Sequence, residues 1–84
     1  MSYSISILRR AQKELAQLPD VAYERAKSAI RRLAENPRPR GCRKLSGRVG
    51  WRIRVGDYRV IYEIDGTRQI VTVLHIGHRR DVYR

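Results

Sequence analysis

The stretch "GWRIRVGDYRVIYEI", residues 50 to 64, carries three arginines whose spacing suits one kind of chemistry. Read as two strands joined by a two-residue loop at Gly56-Asp57, it pairs Val55 with Tyr58, Arg54 with Arg59, and Ile53 with Val60. Side chains alternate between faces along a strand. Trp51, Ile53, Val55, Tyr58, Val60 and Tyr62 therefore share one face, and Arg52, Arg54 and Arg59 share the other. A slip of one residue would turn the arginines into the core, so the hydrophobic pattern specifies the register. The cost is a pair of like charges directly across neighbouring strands, which is destabilising. A polyanion lying over the arginines relieves that repulsion. Guanidinium groups match phosphate oxygens with a planar fork of donors, and cations placed around a reacting phosphate stabilise the charge that develops on it. Glu63 falls on the same face and offers partial neutralisation.

The last residues, "GHRRDVYR" at 77 to 84, add His78, Arg79, Arg80, Tyr83 and Arg84. A tyrosine among arginines suits a stacked base beside a phosphate. Arginine does not give up its proton, so the cluster supplies no general base. His75 and His78 are the only side chains here that titrate near neutrality without help. His75 sits late in a strand, facing either the core or Arg59, and a buried, hydrogen-bonded role is its simpler reading.

The elements that must position these groups follow from the rest of the chain. Residues 2 to 7, "SYSISI", alternate polar and apolar and read as a strand with one buried face. Leu8, Ala11, Leu15 and Leu18 form the stripe of a helix that Pro19 ends. Asp20 is placed to cap a second helix. Ala22, Tyr23, Ala26, Ala29, Ile30 and Leu33 lie on its inner face, with Glu24, Arg25, Lys27, Arg31 and Arg32 outside. "NPRPRG", residues 36 to 41, stops it. "WRIRV" and "YRVIYEI" read as a hairpin, and "QIVTVLHI" as a more buried third strand after a turn at Asp65-Gly66. The fold class is α+β: a strand, an antiparallel helix pair, then a three-stranded antiparallel meander, with the helices packed on one sheet face and the other face open.

Eighty-four residues suit one domain spanning 1–84. The hydrophobic content of 42% suits an ordered chain. The net charge of +11 is carried by sixteen arginines and only three lysines, Lys13, Lys27 and Lys44. That balance points to nucleic acid or a strongly acidic protein partner. The single cysteine, Cys42, forms no internal disulfide, which suits a reducing cytoplasm. It reads as a small loop side chain rather than a nucleophile. The first residues lack the apolar run of a signal peptide. No stretch approaches the roughly 18 apolar residues of a membrane helix.

With these residues in view, the chain resembles the RelE/ParE superfamily of bacterial and archaeal toxins. The likeness runs through "AQKELAQLP" at 11 to 19, "NPRPRGCRKLSG" at 36 to 47, "WRIRVGDYRVIYEI" at 51 to 64 and "IGHRRDVYR" at 76 to 84. The last two together, in this order and spacing, are similar to the RelE type. The resemblance implies a metal-independent endoribonuclease that enters the ribosomal A site and cuts the codon there. The message's own 2′-hydroxyl would attack the adjacent phosphorus. It also implies a RelB-like antitoxin as protein partner, and the ribosome and messenger RNA as targets. It implies no cofactor, metal, membrane or small-molecule ligand.

By the same resemblance, Arg54, Arg59, Arg79 and Tyr83 are the expected catalytic residues. Arg52 and Arg54 stand where the family commonly shows lysine, and Arg59 is the arginine of its "YR-hydrophobic-hydrophobic-Y" motif. Arg79 is the arginine soon after the glycine that ends the last strand, and Tyr83 is the tyrosine near the C-terminus. Arg52, Lys44, His78 and Arg80 are the expected RNA contacts. Two other functions share the fold or the charge. One is a ParE-type inhibitor of DNA gyrase, which needs no arginine-tyrosine constellation. The other is an RNA-binding module without catalysis.

Overall fold

The structure, a computed structural model, describes residues 2–80. β1 (Ser4–Ile7) leads through Leu8 alone into α1 (Arg9–Ala16), and three residues separate α1 from α2 (Asp20–Leu33). After the proline-rich loop come β2 (Arg43–Lys44), β3 (Trp51–Val55), β4 (Tyr58–Asp65) and β5 (Ile70–His78). The strands form one mixed sheet in the order β1-β5-β4-β3-β2. The first strand lies parallel to the last, with Ile5 opposite Val71 and Ile7 opposite Val73. The remaining pairs are antiparallel.

The hairpin has the register its alternation predicts: Val55 faces Tyr58, Arg54 faces Arg59 and Ile53 faces Val60. Gly56 takes φ +59, which suits glycine at the first central position of a II′-like turn. The helices cover the apolar face. Ala11, Ala26, Ile30 and Leu33 pack with Ile53, Val55, Val60, Tyr62, Val71, Val73 and Ile76 in one buried cluster.

Four details depart from the sequence reading. Pro19, not Asp20, occupies the cap position of α2, and Asp20 is its first helical residue. There its charge still suits the positive end of the helix. The β4–β5 turn is a four-residue loop, 66–69, in which Gln69 rather than Gly66 adopts positive φ, at 55°. Asp65 Oδ1 accepts the Arg68 N–H at 3.0 Å and so ties the loop down. β5 runs on through Gly77 and His78, so the tail starts later than expected. The two-residue β2 was not anticipated, because a strand that short has no period to detect.

The loop between α2 and β2 brings the chain to the far sheet edge. Asn36 Oδ1 accepts the Arg38 N–H at 3.1 Å. The Arg38 guanidinium lies 5.1 Å from the Trp51 ring centre, a cation–π contact. The Tyr62 hydroxyl donates to the Pro37 carbonyl at 2.7 Å, joining the centre of β4 to the loop. Tyr62 is fully buried. Burial, reinforced by neighbouring Cys42, pushes its phenol far above the usual range, against a smaller opposing pull from Arg38.

Tyr62→Phe should cost about 1–3 kcal/mol, because it leaves a buried carbonyl without a donor. The raised phenol also sets a sign. Above pH of about 10 the unfolded tyrosine loses its proton while the folded one keeps it, so this contribution is lost as pH rises further. Urea midpoints measured from neutral to alkaline pH should fall above about pH 10 in the parent, and less steeply in Tyr62→Phe.

Candidate functional site

Three strands and a loop build the basic surface. On β3, Arg52 and Arg54 point away from the helices; on β4, Arg59, Ile61 and Glu63 do the same by alternation. β2 adds a second like-charge pair, with Arg43 opposite Arg52. Lys44 pairs with Trp51 in the same short ladder. The Leu45 N–H then donates to the Gly50 carbonyl at 3.0 Å, closing a hairpin loop over residues 46–49. Gly50 has φ +129, and a Cβ there would meet Leu45 Cδ1 at 3.1 Å and the Tyr62 carbonyl at 3.3 Å. Glycine is therefore the residue that lets this loop turn in against the sheet.

The loop roofs part of the face expected to be open. Leu45 and Ile61 are both buried, and Leu74 packs against them as a small apolar cluster apart from the main core. Beside it lies a cleft of about 460 Å³ lined by Arg43, Lys44, Leu45, Ser46, Arg48, Arg52, Arg54 and Arg59. Six of these eight residues are cationic and none carries a carboxylate. A cleft of one sign between low-dielectric walls concentrates its field and draws anions in. Glu63, expected to soften the cluster, is exposed on β4 and is not among the lining residues.

The expected residues divide into those this cleft gathers and those it does not. Arg52, Arg54, Arg59 and Lys44 line it together. Arg54 is exposed, but Arg59 is only 8% exposed, where the alternation alone places it on a solvent-facing surface. Arg43 and Arg48 line the cleft and were missed by sequence reasoning; the turn-forming Ser46-Gly47 pair after Leu45 is the signal that marks their hairpin. Gly77 lies directly opposite Arg59, so the row Arg54, Arg59, Gly77 ends in a position with no side chain.

Arg79 lies beside the β3–β4 turn, its N–H donating to the Asp57 carbonyl at 2.8 Å. Arg79 and Arg80 are exposed and outside the cleft lining. His78 pairs with Tyr58, on the helix side of the hairpin, and their rings meet edge to face at 5.7 Å. Its Nδ1 accepts the Arg80 N–H at 3.3 Å. Tyr83 lies outside the described residues. His75 is opposite Ile61, and its Nδ1 bonds Glu14 of α1.

Residues 5–83 match the model of a family described as the ParE toxin of type II toxin-antitoxin systems, parDE. Toxin RelG of Mycobacterium tuberculosis is 31% identical over 88 residues, covering all of this chain and 99% of RelG. The archaeal RelE-RelB complex from Pyrococcus horikoshii contains a chain that superposes with a TM-score of 0.84 at 31% identity. That match covers 98% of this chain and all of the other. A chain of the intact E. coli RelBE toxin-antitoxin complex superposes with a TM-score of 0.80 at 26% identity, covering 92% of this chain and 96% of that one.

The facing arginines make a prediction about stability. Arg54→Thr removes one of two like charges directly across the strands and introduces a good strand former. It should raise the folding stability by about 0.5 kcal/mol at low ionic strength. The gain should shrink in about 1 M salt, where screening acts over roughly 3 Å. Urea midpoints of the two proteins at low and high salt check it.

Proposed function

The chain belongs to the RelE/ParE superfamily of toxins of type II toxin-antitoxin systems, and from that membership we propose that it is a RelE-type messenger RNA endonuclease acting in the ribosomal A site. The observation that carries the proposal is the cleft itself. Among the described residues six cationic side chains and no carboxylate line it, and β3 and β4 hold Arg54 against Arg59 within it. A polyanion offsets that repulsion. RNA is the polyanion whose own chemistry then completes a cleavage.

In the proposed reaction the 2′-oxygen of one nucleotide attacks the adjacent phosphorus. The bond from phosphorus to the 5′-oxygen breaks, leaving a 2′,3′-cyclic phosphate and a 5′-hydroxyl. Arg54, Arg59 and Arg79 stabilise the charge that grows on the non-bridging oxygens. Alignment of the attacking oxygen with the breaking bond supplies much of the remaining acceleration. Arg43, Lys44, Arg48 and Arg52 hold neighbouring phosphates, and Arg80 extends the track beyond β5. Tyr83 is assigned to stack on a base near the cut. His78, set against Tyr58, supports the end of β5 from which Arg79 and Arg80 project.

A RelB-like antitoxin is the proposed protein partner. An acidic or amphipathic segment would neutralise the cleft and block RNA by occupying it. A second reading, inhibition of DNA gyrase, is favoured by the description of the matching family, which is ParE. The cleft argues for the nuclease, because a protein that only docks on gyrase does not need opposed arginines in a basic cleft.

Primer extension on ribosomes programmed with a defined message tests the choice. Cuts should appear inside the A-site codon with ribosomes and be absent from the same message alone. Arg79→Ala should lower the cleavage rate by about 10²–10³-fold, the usual effect of losing one charge-stabilising donor. No cuts from folded protein, together with loss of supercoiling by gyrase, would overturn the nuclease reading in favour of the second.

A further inference from the structure

Among the described residues the cleft holds guanidinium groups and one lysine, which explain charge stabilisation but not where the proton of the attacking hydroxyl goes. A second cavity, of about 350 Å³, adjoins it and shares Arg48. Leu8, Arg10, Val49, Ile61, Leu74 and His75 complete its lining. Within it His75 is the one imidazole, and its surroundings are unusually determinate.

β5 carries a bulge opposite Ile61 and Tyr62. Val73 and Ile76 both face the buried core. The extra residue therefore turns Leu74 and His75 to the arginine side, which is the re-aiming that bulges perform. His75 is opposite Ile61, and Gly77 is opposite Arg59. His75 and Arg59 are thus diagonal neighbours across two strands, a separation of about 7–8 Å between Cα atoms.

β1 ends at Ile7, opposite Val73, so the edge of β5 beyond that point has no strand beside it. Glu14 of α1 takes the strand's place. Its Oε1 accepts the Ile76 N–H at 2.9 Å. The same carboxylate straddles His75 Nδ1, at 2.8 Å from Oε1 and 2.7 Å from Oε2. Arg10 Nε approaches Oε2 at 3.4 Å. A carboxylate only accepts, so the neutral imidazole must carry its hydrogen on Nδ1, leaving Nε2 as the acceptor. Because Glu14 is also held by the backbone of Ile76, its position does not depend on the ring it orients.

We infer that Glu14 and His75 form a carboxylate–imidazole pair whose Nε2 accepts the proton of the attacking 2′-hydroxyl. This rests on the nuclease reading above and adds to it the base that the arginines cannot provide. In the step, the proton passes from the 2′-oxygen to His75 Nε2 as that oxygen bonds to phosphorus. The 5′-oxygen leaves with the electron pair of the broken bond and takes a proton from water. The imidazolium then returns its proton to solvent. Glu14 is a positioning residue, fixing the tautomer and stabilising the cation that forms.

Single-turnover cleavage on programmed ribosomes, measured between about pH 5 and 8, tests the inference. Among the described residues the charged groups facing His75 are Glu14 and Arg10 from α1 and Arg48 from the β2–β3 loop; Ile61 of β4 brings none. The parent rate should rise with pH as the imidazole loses its second proton. His75→Ala should lose about 10²–10⁴-fold and become flat in pH. Added imidazole should restore part of that rate, which a purely structural loss would not permit. Glu14→Gln, which keeps an acceptor for Ile76, should lose about 10–100-fold.

Folded His75→Ala cutting within about twofold of the parent would overturn the inference and leave the nuclease reading intact. If His75→Ala does not fold, a flat pH profile in the parent, or a Glu14→Gln rate equal to the parent's, overturns it. No cleavage by the parent overturns the nuclease reading and this inference with it.

Discussion

The register of one hairpin governs the rest of the structure. Holding Ile53 opposite Val60 buries the apolar face of β3 and β4 beneath the two helices. The same register forces Arg54 opposite Arg59 on the other face. The favourable and unfavourable sides of the sheet cannot be separated, since a slip of one residue exchanges them. Burying the apolar side chains is worth about 1.5–3 kcal/mol each, whereas the arginine pair costs well under that. The fold therefore tolerates the repulsion, and the surface keeps a field that draws in phosphate.

What turns a basic sheet face into a cleft is the route of the chain before β3. The loop from α2 is fastened by Tyr62 to Pro37 and by Arg38 over Trp51. It can then deliver β2 to the sheet edge, where Arg43 meets Arg52. Leu45 folds in beyond it and covers Ile61. Arg59, only 8% exposed, is largely withdrawn from solvent, and its guanidinium donates to the Tyr58 carbonyl at 3.5 Å. Interactions between charges grow as the local dielectric falls. The proposed phosphate contact gains from that strengthening.

The strands that define the site were legible because each had enough residues to alternate. β3 and β4 show arginines and apolar residues in strict turn, and their register followed. Legibility failed where no local pattern exists. β2 has two residues. The parallel pairing of β1 with β5 joins the two ends of the chain, and nothing near Ser4 signals its partner at Ile70. "QIVTVLHI" is apolar almost throughout, so its bulge left no trace in the periodicity, and the direction of His75 stayed open. Glu14 lies off the apolar stripe of Leu8, Ala11, Leu15 and Leu18, and nothing beside it in the sequence marks a role. Its bond to a residue 61 positions away is a product of tertiary packing.

Arg54 and Arg59 face each other across the hairpin, and a polyanion laid over them would offset their repulsion. The most direct measurement is thermal unfolding of the parent and of Arg54→Thr, each with and without a 2′-O-methyl RNA oligonucleotide that cannot be cleaved. A ligand that binds only the folded chain raises its stability in proportion to its affinity. The variant should be the more stable protein alone, and RNA should raise the midpoint of the parent by clearly more than that of the variant. A parent that is more stable than the variant without RNA, or an equal response of both to the oligonucleotide, would contradict it.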